Sequence, residues 1–121
     1  IQSSMTKLGG YQATADVLAK NATAVFSIND EMAIGLYRGV QERGLKIPDD
    51  LSIMGYDDID LANFITPKLT SIHQPAFEMG QVATDLLIER LNNPRLAHQD
   101  KQLPLELIVR DSVKMIHSDI Q

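Results

Sequence analysis

A strand–helix–strand pattern over residues 24–56 constrains the fold of this chain more than any other feature. Residues 24–28 (AVFSI) form a short apolar run rich in strand-forming residues, and residues 51–56 (LSIMGY) form a second one. Between them, apolar side chains recur with helical spacing at Met32, Leu36 and Val40, and Gly44 is typical of a helix end. A crossover of this length joins parallel strands with right-handed topology, so the two strands are expected to be parallel.

A further helix is predicted before this unit. Apolar residues with helical spacing favour a helix over residues 6–20, with an apolar stripe at Leu8, Tyr11, Ala15 and Leu18. The strand that follows, over residues 24–28, is expected to be buried because its residues are apolar almost throughout.

The second half of the chain adds more elements of both kinds. An apolar run predicts a strand over residues 69–73, and Pro75 suits the first turn of a helix that continues to residue 92. Alternating apolar residues over 103–109 predict an edge strand, because Pro104 lacks the N–H that a central strand requires. The sequence therefore predicts an α/β fold with a small, mostly parallel sheet flanked by helices.

Composition restricts the class of protein. The 121 residues are 44% hydrophobic and 22% charged, which is typical of a globular domain. Sixteen acidic residues against eleven basic ones give a formal charge of −5, which argues against a surface on this chain that binds the phosphate backbone of nucleic acids. Cysteine is absent, which excludes disulfides, cysteine-ligated zinc and thiol catalysis. No apolar run approaches the ~20 residues of a membrane span, and no signal peptide is visible.

Polar side chains follow two of the predicted strands at the point where each strand ends. Asn29 comes directly after the first strand, and Asp57 comes directly after the second. Because ligands of open α/β sheets bind beyond the carboxyl ends of the strands, we expect Asn29 and Asp57 to lie together at one edge. An amide and a carboxylate supply the donors and acceptors that suit sugar hydroxyls. The alternatives are a helix N-cap for Asn29 and a solvated loop acid for Asp57.

Other chemistries have less support in the sequence. The carboxylates of Asp57, Asp58 and Asp60 are of the kind that bind magnesium, but no glycine-rich phosphate loop or partner lysine accompanies them. The histidines lack metal-ligand spacing, and no serine or threonine lies in a nucleophile-elbow motif. We therefore predict no metal, no cofactor and no enzymatic activity.

Four runs of residues carry a more specific signal, and they occur in a fixed order along the chain. They are residues 27–35 (SINDEMAIG), 44–58 (GLKIPDDLSIMGYDD), 66–75 (TPKLTSIHQP) and 107–112 (LIVRDS), with Gly80 between the last two. Together they resemble the C-terminal part of the lactose/galactose/purine repressor (LacI/GalR) family of bacterial transcription regulators. The resemblance covers nearly the whole chain.

This resemblance implies a two-lobed effector-binding domain, shaped like periplasmic sugar-binding proteins, with the effector held between the lobes. Residues 1–73 and 103–114 would then form part of the C-terminal lobe, and residues 75–94 a helix that belongs to the N-terminal lobe. The family's DNA-binding domain is not found in this chain. Matching the family's effector contacts residue by residue assigns that role to Asn29, Asp57 and, more weakly, Gln74.

The resemblance also implies partners. It predicts a cytoplasmic, sugar-responsive repressor that reaches operator DNA only through a separate N-terminal domain and does not bind membranes. It also predicts a homodimer, with the interface on the second helix and the loop that follows the second strand. Gly35 and Gly39 leave a smooth face on that helix, which packs either on the sheet or on a second subunit. The interface residues predicted in this way are Ile34, Tyr37, Phe64 and Ile65.

The alternative function is a periplasmic-type sugar-binding protein of a transport system. Ribose-type members of that class share the Asn-Asp-Glu-Met-Ala run that begins at Asn29. The loop at residues 47–50 and the run at residues 66–75 favour the repressor.

Overall fold

The computed structural model describes residues 1–117 and consists of a four-stranded sheet and three α-helices, one of which packs directly on the sheet. The strands lie in the order β1-β2-β3-β4, and a short 3-10 helix separates β2 from β3. The elements are α1 (Lys7–Ala19), β1 (Ala24–Phe26), α2 (Asp30–Glu42), β2 (Ser52–Asp57), the 3-10 helix (Asp60–Asn63), β3 (Thr70–His73), α3 (Ala76–Asn92) and β4 (Glu106–Ile108).

The pairing of the strands confirms the predicted α/β sheet. β1 pairs with β2 and β2 pairs with β3, both in parallel, whereas β3 pairs with β4 in antiparallel orientation. The strand–helix–strand unit β1–α2–β2 therefore has the parallel arrangement that its crossover predicts. Strand β4 is shorter than the predicted strand, and Pro104 lies outside it.

The core forms between α2 and the sheet. Helix α2 is amphipathic, and its buried residues include Ala33, Leu36 and Val40, spaced three and four apart so that they share one face. This face packs on β2. The buried apolar cluster consists of Val17, Ala33, Leu36, Tyr37, Val40, Ile47, Leu51, Ile53, Ala62 and Leu69.

Helix α1 is where predicted, but its predicted apolar stripe is wrong. Leu8 is 62% exposed and Ala15 is also exposed, whereas the buried residues are mostly small ones. The reason is the close approach of α1 to α2, where a Cβ on Gly35 would overlap the backbone oxygen of Lys7. The smooth face at Gly35 and Gly39 thus packs on α1, rather than on the sheet or a second subunit. The buried residues of α1 are Gly9, Gly10, Ala13, Thr14 and Val17.

Strand β1 is also more exposed than its sequence predicts. Phe26 is 62% exposed and Ile28, just beyond the strand, is 61% exposed. β1 lies at the edge of the sheet and pairs with β2 alone, so the strand is not the buried one that its apolar run favours.

Helix α3 has the predicted extent but buries no residue. Its apolar side chains include Met79, Leu87 and Leu91, which are exposed to 45%, 59% and 70% respectively. The assignment of this helix to a second lobe stays a prediction.

Candidate functional site

The carboxyl edge of the sheet, meaning the edge where β1 and β2 end, holds the residues predicted to bind a ligand. Phe26 of β1 lies opposite Met54 of β2. Asp57 is the last residue of β2, and Asn29 follows β1 by three residues, so both lie at the carboxyl ends of neighbouring parallel strands. Both side chains are half-buried. The two residues that the sequence placed together therefore lie at the same edge.

Asn29 caps helix α2. Its Oδ1 accepts a hydrogen bond from the backbone N–H of Met32 at 2.9 Å, and its backbone is extended, as is usual at an N-cap. Its Nδ2 donates to the backbone oxygen of Met5 at 3.4 Å. The N-cap interpretation is confirmed, whereas a contact between Asn29 and a ligand stays a prediction.

Asp57 ends strand β2 in an uncommon backbone conformation, with φ at 113°. Its Oδ1 accepts a hydrogen bond from Nε2 of Gln74 at 2.5 Å. Gln74 lies between β3 and α3, so the structure brings together two of the three predicted ligand residues through a direct contact. A surface depression around them is lined in part by His73, Phe77 and Met79.

Both carboxylate oxygens of Asp58, the next residue, contact other side chains of the protein. Its Oδ1 accepts a hydrogen bond from Nη2 of Arg110 at 2.6 Å, and its Oδ2 lies 3.0 Å from Nδ1 of His73. Arg110 also donates to the backbone oxygen of Leu69, which ties the segment after β4 to the sheet. Across residues 1–117 no three acidic or histidine side chains converge as a metal site, so the magnesium alternative lacks a ligand set there.

Asp30 was missed as a functional candidate by the sequence reasoning. It lies in the first turn of α2 and is fully buried, with Oδ1 accepting from the Ser71 hydroxyl at 2.7 Å. Its Oδ2 accepts from the backbone N–H of Ile59 at 2.9 Å. Burial raises the pKa of Asp30 above the ordinary value of an aspartic acid, although both hydrogen bonds oppose this shift.

The predicted dimer interface falls on a separate surface. Phe64 is 78% exposed, and Ile34 and Ile65 are half-buried beside a shallow groove. Tyr37 is only 3% exposed and donates its hydroxyl to the backbone oxygen of Pro67 at 3.0 Å. Burial raises the pKa of Tyr37 to about 12. Tyr37 therefore supports this surface from beneath, and the interface itself stays a prediction.

Comparison with known proteins defines the class to which this fold and site belong. The periplasmic binding protein-like domain family matches residues 3–113, and the chain belongs to this family. No helix that the structure describes over residues 1–117 has the length and apolar character needed to cross a membrane.

Two curated relatives of this chain are transcriptional repressors. The ribose operon repressor of Escherichia coli K12 is 44% identical over 106 residues, covering 86% of this chain and 32% of the repressor. The transcriptional repressor PurR of Vibrio campbellii is 42% identical over 100 residues, covering 83% of this chain and 30% of PurR. The chain thus spans about a third of the length of these relatives.

Solved structures of LacI family regulators are also similar to this chain. A LacI family transcriptional regulator from Enterococcus faecium, solved with bound ribose, is 49% identical with a TM-score of 0.87. The match covers 92% of this chain and 41% of that regulator. A lac repressor dimer bound to operator and the anti-inducer ONPF is 31% identical with a TM-score of 0.82, and the match covers 92% of this chain and 39% of that repressor. The chain is homologous to effector-binding domains of LacI family regulators, which confirms the resemblance drawn from the sequence motifs.

Proposed function

We propose that this chain is part of a sugar-responsive transcriptional repressor and carries residues that bind its effector. The observation that carries the proposal is the position of Asp57, at the carboxyl edge of the sheet and hydrogen-bonded to Gln74. Oδ2 of Asp57 makes no hydrogen bond with other residues of the described part of the chain, so it is available to accept one from a ligand hydroxyl.

The relatives support a sugar of the pentose class. The Enterococcus faecium regulator was solved with ribose, and the Escherichia coli relative is a ribose operon repressor. The identity to PurR is nearly the same as that to the ribose repressor, so a purine is the competing ligand class. A transport sugar-binding protein has less support, because these relatives are transcription regulators.

The proposal includes the partners of the intact regulator. A homodimer would use the surface around Ile34, Phe64 and Ile65, in line with the dimeric lac repressor. Operator DNA would be bound by a domain outside this chain, because the net charge of −5 is unfavourable for contact with phosphates. Such a regulator acts in the cytoplasm and performs no catalytic step.

Calorimetry on the full-length regulator tests the proposal with a panel of ribose, other pentoses and hexoses, and a purine base. Replacing Asp57 with alanine removes hydrogen bonds to a charged group, worth about 1.5–3 kcal/mol, so the sugar is expected to bind roughly 10- to 150-fold more weakly. Asn29→Ala removes neutral hydrogen bonds, worth about 1 kcal/mol, and is expected to weaken binding less.

Asp16→Ala is the matched control. Asp16 is an exposed acid on α1, so this variant removes the same charge without altering the carboxyl edge, and its affinity is expected to equal that of the wild type. Operator binding is expected to persist in all three variants. Equal sugar affinity of wild type and Asp57→Ala would contradict the assignment of Asp57. Binding of the purine but of none of the sugars would overturn the ligand class.

A further inference from the structure

The buried carboxylate of Asp30 lies directly beneath the carboxyl edge of the sheet. It is the one fully buried acidic side chain in the part of the chain that the structure describes. Gly55 of β2 faces it, and a Cβ at that position would overlap Oδ1 of Asp30. The absence of a side chain on the neighbouring strand is therefore what makes room for this carboxylate.

Both oxygens of Asp30 hold parts of the protein that surround the turn after β2. Oδ2 accepts the backbone N–H of Ile59 at 2.9 Å, and Oδ1 accepts the hydroxyl of Ser71 at 2.7 Å. The same hydroxyl oxygen accepts the backbone N–H of Asp58 at 3.1 Å. The backbone amides of the two residues after Asp57 are thus linked, directly or through Ser71, to a single carboxylate.

This turn needs such support because its backbone is strained. Asp57 has φ at 113° and Asp58 has φ at 56°, both in the region that residues with a Cβ rarely adopt. Without the hydrogen bonds to the following amides, the chain would relax toward more common conformations. Such a relaxation would move the carboxylate of Asp57 away from its present position at the edge.

We propose that Asp30 is a positioning residue for the effector site, which holds the turn that presents Asp57 to the sugar. This inference rests on the proposed function of Asp57. Asp30 is fully buried and therefore does not touch the ligand, so it acts through Asp57 alone.

The test measures D-ribose affinity of the full-length regulator by calorimetry. Asp30→Ala and Ser71→Ala are expected to weaken ribose binding about tenfold or more, because both variants release the turn. Asp30→Asn is expected to lose less, since its oxygen can still accept from Ile59 and its amide can donate to Ser71. Leu51→Ala is the matched control, because Leu51 is a buried core residue just before β2, at the strand end remote from the turn.

Two further measurements separate positioning from general stability. The double variant Asp30→Ala/Asp57→Ala is expected to bind ribose almost as well as the single variant Asp57→Ala, because Asp30 acts through Asp57. The backbone amides of Asp58 and Ile59 are expected to exchange faster with solvent in Ser71→Ala than in the wild type, while those of β2 are unaffected. If Asp30→Ala does not fold, ribose affinity is measured on Asp30→Asn and Ser71→Ala instead.

The inference is overturned if Asp30→Ala or Ser71→Ala binds ribose as tightly as the wild type, or if Leu51→Ala loses as much affinity as they do. Additive effects of the Asp30 and Asp57 replacements would also overturn it. Failure of the proposed function has a different signature, since the wild type then binds no sugar or Asp57→Ala binds as well as the wild type, and the inference falls with it.

Discussion

Replacement of Gly55 with alanine tests the internal geometry of the fold without reference to any ligand. Gly55 is buried in β2, where a Cβ would overlap Oδ1 of Asp30 and lie 3.0 Å from Cδ2 of Leu69. Leu69 is itself fully buried, so neither neighbour has free space into which it can move. The added methyl group must therefore displace the carboxylate, the leucine or the strand.

The size of the effect follows from these contacts. Overpacking a well-packed core costs about 1–3 kcal/mol, and weakening the hydrogen bonds of a buried carboxylate costs about 1.5–3 kcal/mol. Together we expect Gly55→Ala to lower the free energy of unfolding by roughly 2.5–6 kcal/mol. With a urea m-value of about 2 kcal/mol/M, this corresponds to a midpoint lowered by roughly 1–3 M.

Gly80→Ala is the control for the loss of a glycine. Gly80 lies in α3 with nothing within 4 Å of an added Cβ, so alanine is expected to stabilise the helix by about 0.5–1 kcal/mol. Urea unfolding of the 121-residue chain, followed by circular dichroism at one protein concentration, measures both variants. A Gly55→Ala midpoint at or above that of the wild type would show that Asp30 does not pack against β2.

Three further predictions concern charge and association. Because burial raises the pKa of Asp30, the folded state holds the proton of this carboxyl to a higher pH than the unfolded state does. The free energy of unfolding therefore falls as pH rises from the ordinary pKa of an aspartic acid to the raised one. Asp30→Asn is expected to remove this pH dependence, measured by urea unfolding at a series of pH values. The 121-residue chain, with its charge of −5, is expected to bind no DNA, and salt-dependent, sequence-selective mobility shifts would contradict this. The chain is expected to self-associate through its exposed apolar surfaces, and Phe64→Asp is expected to shift sedimentation toward the monomer, whereas an equally monomeric wild type would refute the interface.

Local sequence patterns predict the elements of this fold well. The parallel β1–α2–β2 unit follows from its apolar runs and helical spacing, since these elements bury faces whose periodicity is visible in the sequence. The burial of α1 and β1 could not be predicted in the same way. It depends on the close approach of α1 to α2 and on which strand lies at the sheet edge, and both are tertiary properties.

The candidate site is also predicted only in part from the local sequence. Asn29 and Asp57 were identified because strand ends mark the edge of a parallel sheet. Asp30 carried a signal that was overlooked, since it lies three residues before Ala33 and seven before Tyr37, on the face of α2 that is buried. Arg110 carried no comparable signal, because its contact with Asp58 joins residues 52 positions apart.

The pairing of Asp58 with Arg110 also has a consequence for how the protein folds. Closing a contact between residues 52 positions apart costs loop entropy, and this cost is offset only when the C-terminal segment docks on the sheet. Ser112 contributes a similarly distant hydrogen bond from this segment, to Ile53. During synthesis the chain leaves the ribosome from its N-terminus, so the turn after β2, which contains Asp58, emerges well before Arg110. A chain truncated before residue 110 would therefore hold every predicted ligand residue without the ion pair between Asp58 and Arg110.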